Sequence, residues 1–171
     1  MIYFLAEFVT SKGCGMADAS KAGLTDSIII DASVNAIMET LLDFESYPDW
    51  MSGVVEVEVI KRDKKKRGTQ VRYVVDAILT KVNYTLDYTY KEKENKIETA
   101  YVEGDLDDCS SWYKLEALDD DRTEVTYHYE VAYSIPRALL NPLTKRLLKS
   151  VDKRVMNSSL NDLKKRCVLE S

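Results

Sequence analysis

The chain has 171 residues, with 24 Lys and Arg against 29 Asp and Glu for a formal net charge of -5; this is the size of one domain, able to bury about two-thirds of its unfolded surface. The acidic balance argues against a general nucleic-acid binder, and one histidine with three scattered cysteines, Cys14, Cys109 and Cys167, argues against a zinc site or a disulfide framework. Eleven tyrosines against three phenylalanines favour surfaces that are apolar along the ring and need a polar partner at the tip, as the wall of a cavity does.

The apolar run Met1 to Val9 is too short to cross a bilayer, is broken by Glu7 and lacks a basic flank. Residues 1–26 are expected to form a poorly ordered extension, with Met16 as an alternative start, and residues 27–171 to form the domain. Unpaired cysteines suit a reducing setting, so a cytoplasmic location is expected.

Ser27-Ile28-Ile29-Ile30-Asp31 reads as a short strand. Ser33 then caps a helix from about Asn35 to Asp43, with Ile37, Leu41 and Leu42 inward. Phe44-Glu45-Ser46-Tyr47-Pro48-Asp49-Trp50-Met51 gathers three aromatics around a proline. The proline disfavours a helical Tyr47, so a short helical turn or two and then a bend is expected before Gly53.

From Val54 the period becomes two. Val55, Val57 and Val59 oppose Glu56 and Glu58; after the Lys64-Lys65-Lys66-Arg67 turn, Val71, Tyr73, Val75 and Ala77 share a face. Val82, Tyr84, Leu86, Tyr88 and Tyr90 oppose Asn83, Thr85, Asp87 and Thr89, and Ile97, Thr99 and Tyr101 follow. On the next strand Ser111, Tyr113, Leu115 and Ala117 face inward, leaving Trp112 outside as a dimer contact or a sign of shifted register. On the last strand Val125, Tyr127, Tyr129, Val131 and Tyr133 oppose Thr126, His128 and Glu130.

Pro136 ends the sheet, and a helix of roughly 40 Å runs from Asn141, its cap, to Cys167. Its apolar face is drawn through Leu143, Leu147, Val151, Val155, Leu163 and Cys167, flanked by Leu140, Leu148, Met156 and Leu160. One long helix seated against a curved antiparallel sheet leaves a space that side chains do not easily fill.

This order of elements resembles the polyketide cyclase/dehydrase and coenzyme Q-binding branch of the START-like (SRPBCC) superfamily. The match is carried by the Ile28–Ile30 strand, Tyr47-Pro48-x-Trp50, Gly53-Val54-Val55-Glu56-Val57, Val102-Glu103-Gly104-Asp105, Thr123-x-Val125-x-Tyr127 and Leu163-Lys164-Lys165-Arg166. It covers about Asp26 to Cys167. The resemblance implies an α+β helix-grip fold: a seven-stranded antiparallel sheet wrapped around a long C-terminal helix, two short helices after the first strand, and a hydrophobic pocket between sheet and helix.

The expected pocket wall is Trp50, Tyr73, Val75, Tyr84, Leu86, Tyr88, Thr99, Tyr101, Tyr113, Tyr127, Tyr129 and Val131, faced by Leu143, Leu147, Val151 and Val155 of the helix. The expected partner is a small hydrophobic or aromatic molecule, lipid, polyketide or quinone-like. The alternatives are a polyketide cyclase/dehydratase, or a quinone chaperone or ribosome-interacting module. No inward acid or base suits proton transfer near neutral pH, because Glu103 adjoins a turn glycine and His128 lies on the polar face, so no catalytic residue, metal ligand or cofactor is assigned. The Lys64–Arg67 turn reads as solvated rather than nucleic-acid-binding. Peripheral membrane contact through the basic helix face and a monomer or weak dimer complete the expectation.

Overall fold

A computed structural model describes the backbone over residues 20–76, 81–133 and 142–169, and the side chains of 23–76, 81–132, 150 and 153–168. Seven strands form one sheet: β1 Ser20–Ile30, β2 Val54–Arg62, β3 Gly68–Asp76, β4 Lys81–Lys91, β5 Lys96–Gly104, β6 Asp108–Ala117 and β7 Thr123–Tyr133. Their order is β1-β7-β6-β5-β4-β3-β2, antiparallel at every junction. Hairpins therefore lay down β2 to β7 side by side, and β1 and β2 end on opposite edges. The chain between them, helix α1 Val34–Leu42, a 3-10 turn Phe44–Ser46 and helix α2 Tyr47–Trp50, has to travel from one edge of the sheet to the other. Helix α3, Pro142–Leu169, starts at the expected proline and supplies the remaining layer.

The expected α+β plan of seven antiparallel strands, two short helices after the first and a long helix last is the one observed. Four local readings need correction. β1 begins at Ser20, so residues 20–26 of the expected extension belong to the sheet; the long β7 gives them an unbroken ladder from Ser20 opposite Tyr133 to Ile30 opposite Thr123. Gly23 and Asp26 are residue types that favour turns over strands, and the pairing with β7 overrides that local preference.

Val55 points away from the core, 40% exposed, while Val54 packs inward. A register shift between Val54 and Glu56 inserts one residue into β2 and reverses the alternation locally. Thr85, expected on the polar face, is buried, beside a shift in the β4–β5 ladder whose extra residue, Val102, lies on β5.

Tyr47 is helical, φ -53° and ψ -40°, although Pro48 follows. Its ring lies against Phe44, Trp50 and Tyr73, and its buried hydroxyl donates to the Leu41 carbonyl at 2.7 Å, which holds the backbone against the preference of the pre-proline position.

Two hydrophobic clusters fill the concave side. The first joins Ile30, Ile37, Leu41, Ile97, Leu115, Val125 and Tyr127 to Met156, Leu160, Leu163 and Cys167 of α3. The second joins Phe44 and Tyr47 to Val71, Tyr73, Leu86, Cys109 and Val131. Trp50, Tyr88 and Tyr129 pack against both. Ser33 caps α1 as expected, its hydroxyl accepting the Ala36 N–H at 3.3 Å, and Ile37 and Leu41 turn inward.

Candidate functional site

The tyrosine-bearing faces of β3, β4, β6 and β7 share the concave side with the aromatic bend. Period-two alternation puts Tyr73, Tyr84 and Tyr88 on one surface, and antiparallel pairing sets Tyr73 directly opposite Tyr84 with ring centroids 5.6 Å apart. Phe44 meets Tyr88 edge-on at 4.8 Å, Tyr47 meets Trp50 at 5.0 Å, and Tyr113 stacks on Tyr127 at 4.2 Å. Gly68 allows this crowding, since a Cβ there would stand 2.8 Å from the Phe44 ring.

The hydroxyls form two groups. Tyr73 and Tyr88 share a hydrogen bond of 2.5 Å. Farther along the sheet, Thr99 and Ser111 hydroxyls lie 2.8 Å apart, and Tyr127 hydrogen-bonds with Ser111 and Tyr113. Burial raises the pKa of Tyr47, Tyr73, Tyr88 and Tyr113 above the ordinary value, and pushes Tyr127 up to about 12 despite hydrogen bonds that lower it. These phenols keep their protons at neutral pH and act as hydrogen-bond donors. Cys109 is also raised to about 12 by burial, which makes it a packing residue rather than a nucleophile.

Of the sixteen expected wall residues, Tyr73, Leu86, Tyr127 and Val131 are buried, and Trp50, Val75, Tyr84, Tyr88, Thr99, Tyr101, Tyr113 and Tyr129 are half-buried. Tyr73, Leu86 and Val131 come together with Trp50, Val75, Tyr84, Tyr88, Tyr101 and Tyr129. Tyr101 spends its hydroxyl on the Leu106 carbonyl at 2.7 Å, within the β5–β6 hairpin. The side chains of Leu143, Leu147 and Val151 lie outside the described residues. Val155 is 42% exposed, and the buried stripe of α3 runs instead through Met156, Leu160, Leu163 and Cys167. Successive four-residue steps drift by about 40° each around a helix of 3.6 residues per turn, so a strict four-step stripe leaves the face that mixed steps of three and four maintain.

Tyr47 and Ser111 were not among the expected wall residues, though both join this aromatic and hydroxyl assembly. Ser111 shares its inward parity with Tyr113, and that parity was its only sequence signal. Trp112 does face outward, stacked on His128 at 5.3 Å with the Lys96 ammonium 4.7 Å above its ring, so the register of β6 is as read. His128 sits on the same outer face beside the Thr25 hydroxyl, at 2.8 Å. In the basic turn, Lys65 reaches Glu92 at 2.5 Å, and Arg67 reaches Asp63 at 2.7 Å and Glu92 at 2.8 Å.

Two depressions flank α3. An open groove of about 710 Å³ is lined by Ser52, Ser150, Lys153, Arg154, Asn157, Ser158, Asn161, Asp162 and Lys165. Its two sides are tied where the Asp162 carboxylate accepts the Ser52 N–H at 3.0 Å. A smaller one of about 300 Å³ lies among Ala36, Glu39, Thr40, Asp43, Ser46, Arg166 and Cys167. Neither is lined by the tyrosines, but the larger begins at Ser52, two residues after Trp50 of the aromatic wall. Among the described residues no cluster of three or more His, Cys, Asp or Glu is placed to hold a metal ion, and no helix is long and apolar enough to cross a membrane.

Similar folds are known. The Zhui aromatase/cyclase from Streptomyces sp. R1128 superposes with a TM-score of 0.74 at 18% identity, covering 86% of this chain and 93% of that one. The protein TTHA0849 from Thermus thermophilus gives 0.77 at 19%, covering 88% and 99%. A START superfamily protein from Mycobacterium smegmatis gives 0.70 at 20%, covering 84% and 97%. No curated protein sequence matches the chain. The family model described as polyketide cyclase / dehydrase and lipid transport matches residues 30–156, well over half of the sequence. With that match on the strands and helices just described, the chain belongs to the polyketide cyclase/dehydrase and lipid transport family.

Proposed function

We propose that the protein binds a small hydrophobic or aromatic molecule, lipid, polyketide or quinone-like, between the curved sheet and α3. The observation that carries this reading is the wall of tyrosines whose rings turn to the concave side and whose hydroxyls meet there. Apolar burial at about 25 cal/mol per Å² supplies affinity, and a few hydroxyls supply orientation. The proposed contacts are Trp50, Tyr88 and Tyr129, which pack against both clusters, together with Val75, Tyr84 and Leu86 of the second.

Binding is favoured over a cyclase or dehydratase reaction by the chemistry of the tyrosines. A general base works best with a pKa near the ambient pH, and these phenols have been moved the other way. As donors they can still orient a carbonyl. Cys109 and Cys167 are buried thiols outside any disulfide, in keeping with the reducing cytoplasm in which we place this activity.

Native mass spectrometry of protein isolated from its own host is the direct test, with a retained apolar ligand as the expected result. Thermal denaturation with lipids, quinones and aromatic polyketides should show stabilisation accompanied by a change in tyrosine and tryptophan fluorescence. No retained mass and no stabilisation by any of the three classes would overturn the reading.

A further inference from the structure

Helix α3 changes its apolar side partway along. In its C-terminal half Met156, Leu160, Leu163 and Cys167 are at most 4% exposed and form the stripe that packs on the sheet. Followed toward the N-terminus by the same steps of three and four residues, that stripe reaches Lys153, then Lys149, then Lys145 and Arg146. Its continuation is wholly basic. Leu143, Leu147, Leu148, Val151 and Val155 instead fall on a second stripe, roughly 150° round the axis from the first at 3.6 residues per turn. Burial at the crossover agrees: Val155 is 42% exposed and Lys153 is exposed on the open groove beside Ser52, while Met156 is 2% exposed. In one continuous helix, Pro142–Leu169, the sheet that covers the C-terminal stripe lies on the wrong side to cover the N-terminal one.

Charge selects the cover. Pro142–Leu169 holds eight of the chain's 24 Lys and Arg and two of its 29 Asp and Glu, so the helix is +6 within a chain of -5. A second copy laid on the stripe would bring another +6 helix against the first, at a cost in like-charge repulsion. A bilayer with anionic headgroups meets both needs, acyl chains for the stripe and negative charge for the cations. We infer that the first half of α3 is a peripheral docking element for anionic membranes, its leucine and valine stripe sunk into the acyl boundary while the second half holds the sheet. Arg154, seven residues beyond Leu147, and Lys165, eleven further on, prolong the line of the stripe and are both exposed, so they fall at headgroup level. The cations of the opposite side stand about 10 Å away, the diameter of a helix, and still feel the surface potential. This role goes beyond ligand binding and does not depend on it.

The test is flotation of the full chain with vesicles of phosphatidylcholine alone and of phosphatidylcholine with phosphatidylserine at about three to one. The protein should bind the anionic vesicles about tenfold more tightly than the neutral ones, and lose most of that advantage as salt is raised. Val155→Asp, at an exposed position, should weaken binding about tenfold, and Val151→Asp added to it further still. Arg154→Ala and Lys165→Ala should each weaken it about fivefold. Val168→Ser, an exposed valine off the stripe, and Lys65→Ala, a cation off the helix, should leave it unchanged. Glycerophosphoserine, the soluble headgroup, should not compete, since a surface rather than one headgroup is bound. Equal binding to the two vesicle types, undiminished binding by a Val155→Asp variant of unchanged far-ultraviolet dichroism, or full competition by the soluble headgroup overturns the proposal. Absence of vesicle binding overturns it as well. Light scattering then assigns the stripe, to a second copy if the protein is a dimer that Val155→Asp splits, and to cover by the chain itself if Val155→Asp gives a less stable monomer.

Discussion

The two hydrophobic clusters meet at Trp50, Tyr88 and Tyr129 but are built from different material. The cluster under the end of α3 is mostly aliphatic: Ile30, Ile37, Leu41, Leu115, Met156, Leu160 and Leu163 are at most 3% exposed and leave no polar tip to satisfy, and Tyr127 is its one buried tyrosine. The cluster under the aromatic bend holds Tyr47, Tyr73, Tyr84, Tyr88 and Tyr101, every one carrying a hydroxyl that needs a partner. A dry end of this kind fixes the helix to the sheet. An end lined with phenols gives up some dry packing for directional groups, which is the composition of a recognition surface.

Truncation should separate the two ends most sharply. Leu163→Ala should cost about 2–5 kcal/mol in urea denaturation, since its side chain is completely buried in the aliphatic end. Tyr73→Phe, which removes one hydroxyl from the other end, should cost about 1 kcal/mol or less. Comparable losses would erase the distinction between the aliphatic and the phenol-lined end.

Gly68→Ala comes next in size. The added methyl group meets the Phe44 ring at 2.8 Å, so overpacking of about 1–3 kcal/mol is expected, with the near-ultraviolet dichroism of the aromatic end disturbed. An unchanged aromatic signal would show that the bend can yield.

A smaller effect appears in alkali. Unfolded tyrosines ionise near pH 10, whereas Tyr127 and Tyr90 keep their protons to about 12 and burial raises Tyr73 as well. Above pH 10 the folded chain therefore binds more protons than the unfolded one, and stability contributed by these groups, complete below that pH, declines as pH rises toward 12. Tyr73→Phe should make the decline shallower in denaturation curves at pH 9, 10 and 11, and Leu163→Ala should leave its slope unchanged. At the bottom of the scale, Lys65→Ala in the exposed turn should shift stability by no more than about 0.5 kcal/mol, away from both clusters.

Period-two alternation made most of this legible in advance. Tyr84, Leu86 and Tyr88 against Asn83 and Asp87 left one possible inner face for β4, and Trp112 and His128 were placed outside by the same parity. Parity fails where the strand itself carries an extra residue, as at Val55, because a bulge leaves no mark in composition. Tyr47 shows a different limit: its helical backbone is set by rings distant in sequence, which a local rule about proline cannot include. The hydroxyl pairs were out of reach altogether. Which tyrosine tips meet depends on strand register, and only the pairing of β3 with β4 brings Tyr73 within reach of Tyr88.

The placement of β1 next to β7 has a further consequence for how the molecule is made. Every other strand meets its sheet neighbour through a hairpin, whereas Ser20–Ile30 must wait for Thr123–Tyr133, about a hundred residues later, before its edge is covered. During synthesis on the ribosome β1 stays without this neighbour until β7 has emerged. Closure of the β1–β7 ladder is then a late event, and in the interval before it the open edge of β1 exposes the nascent chain to wrong pairing.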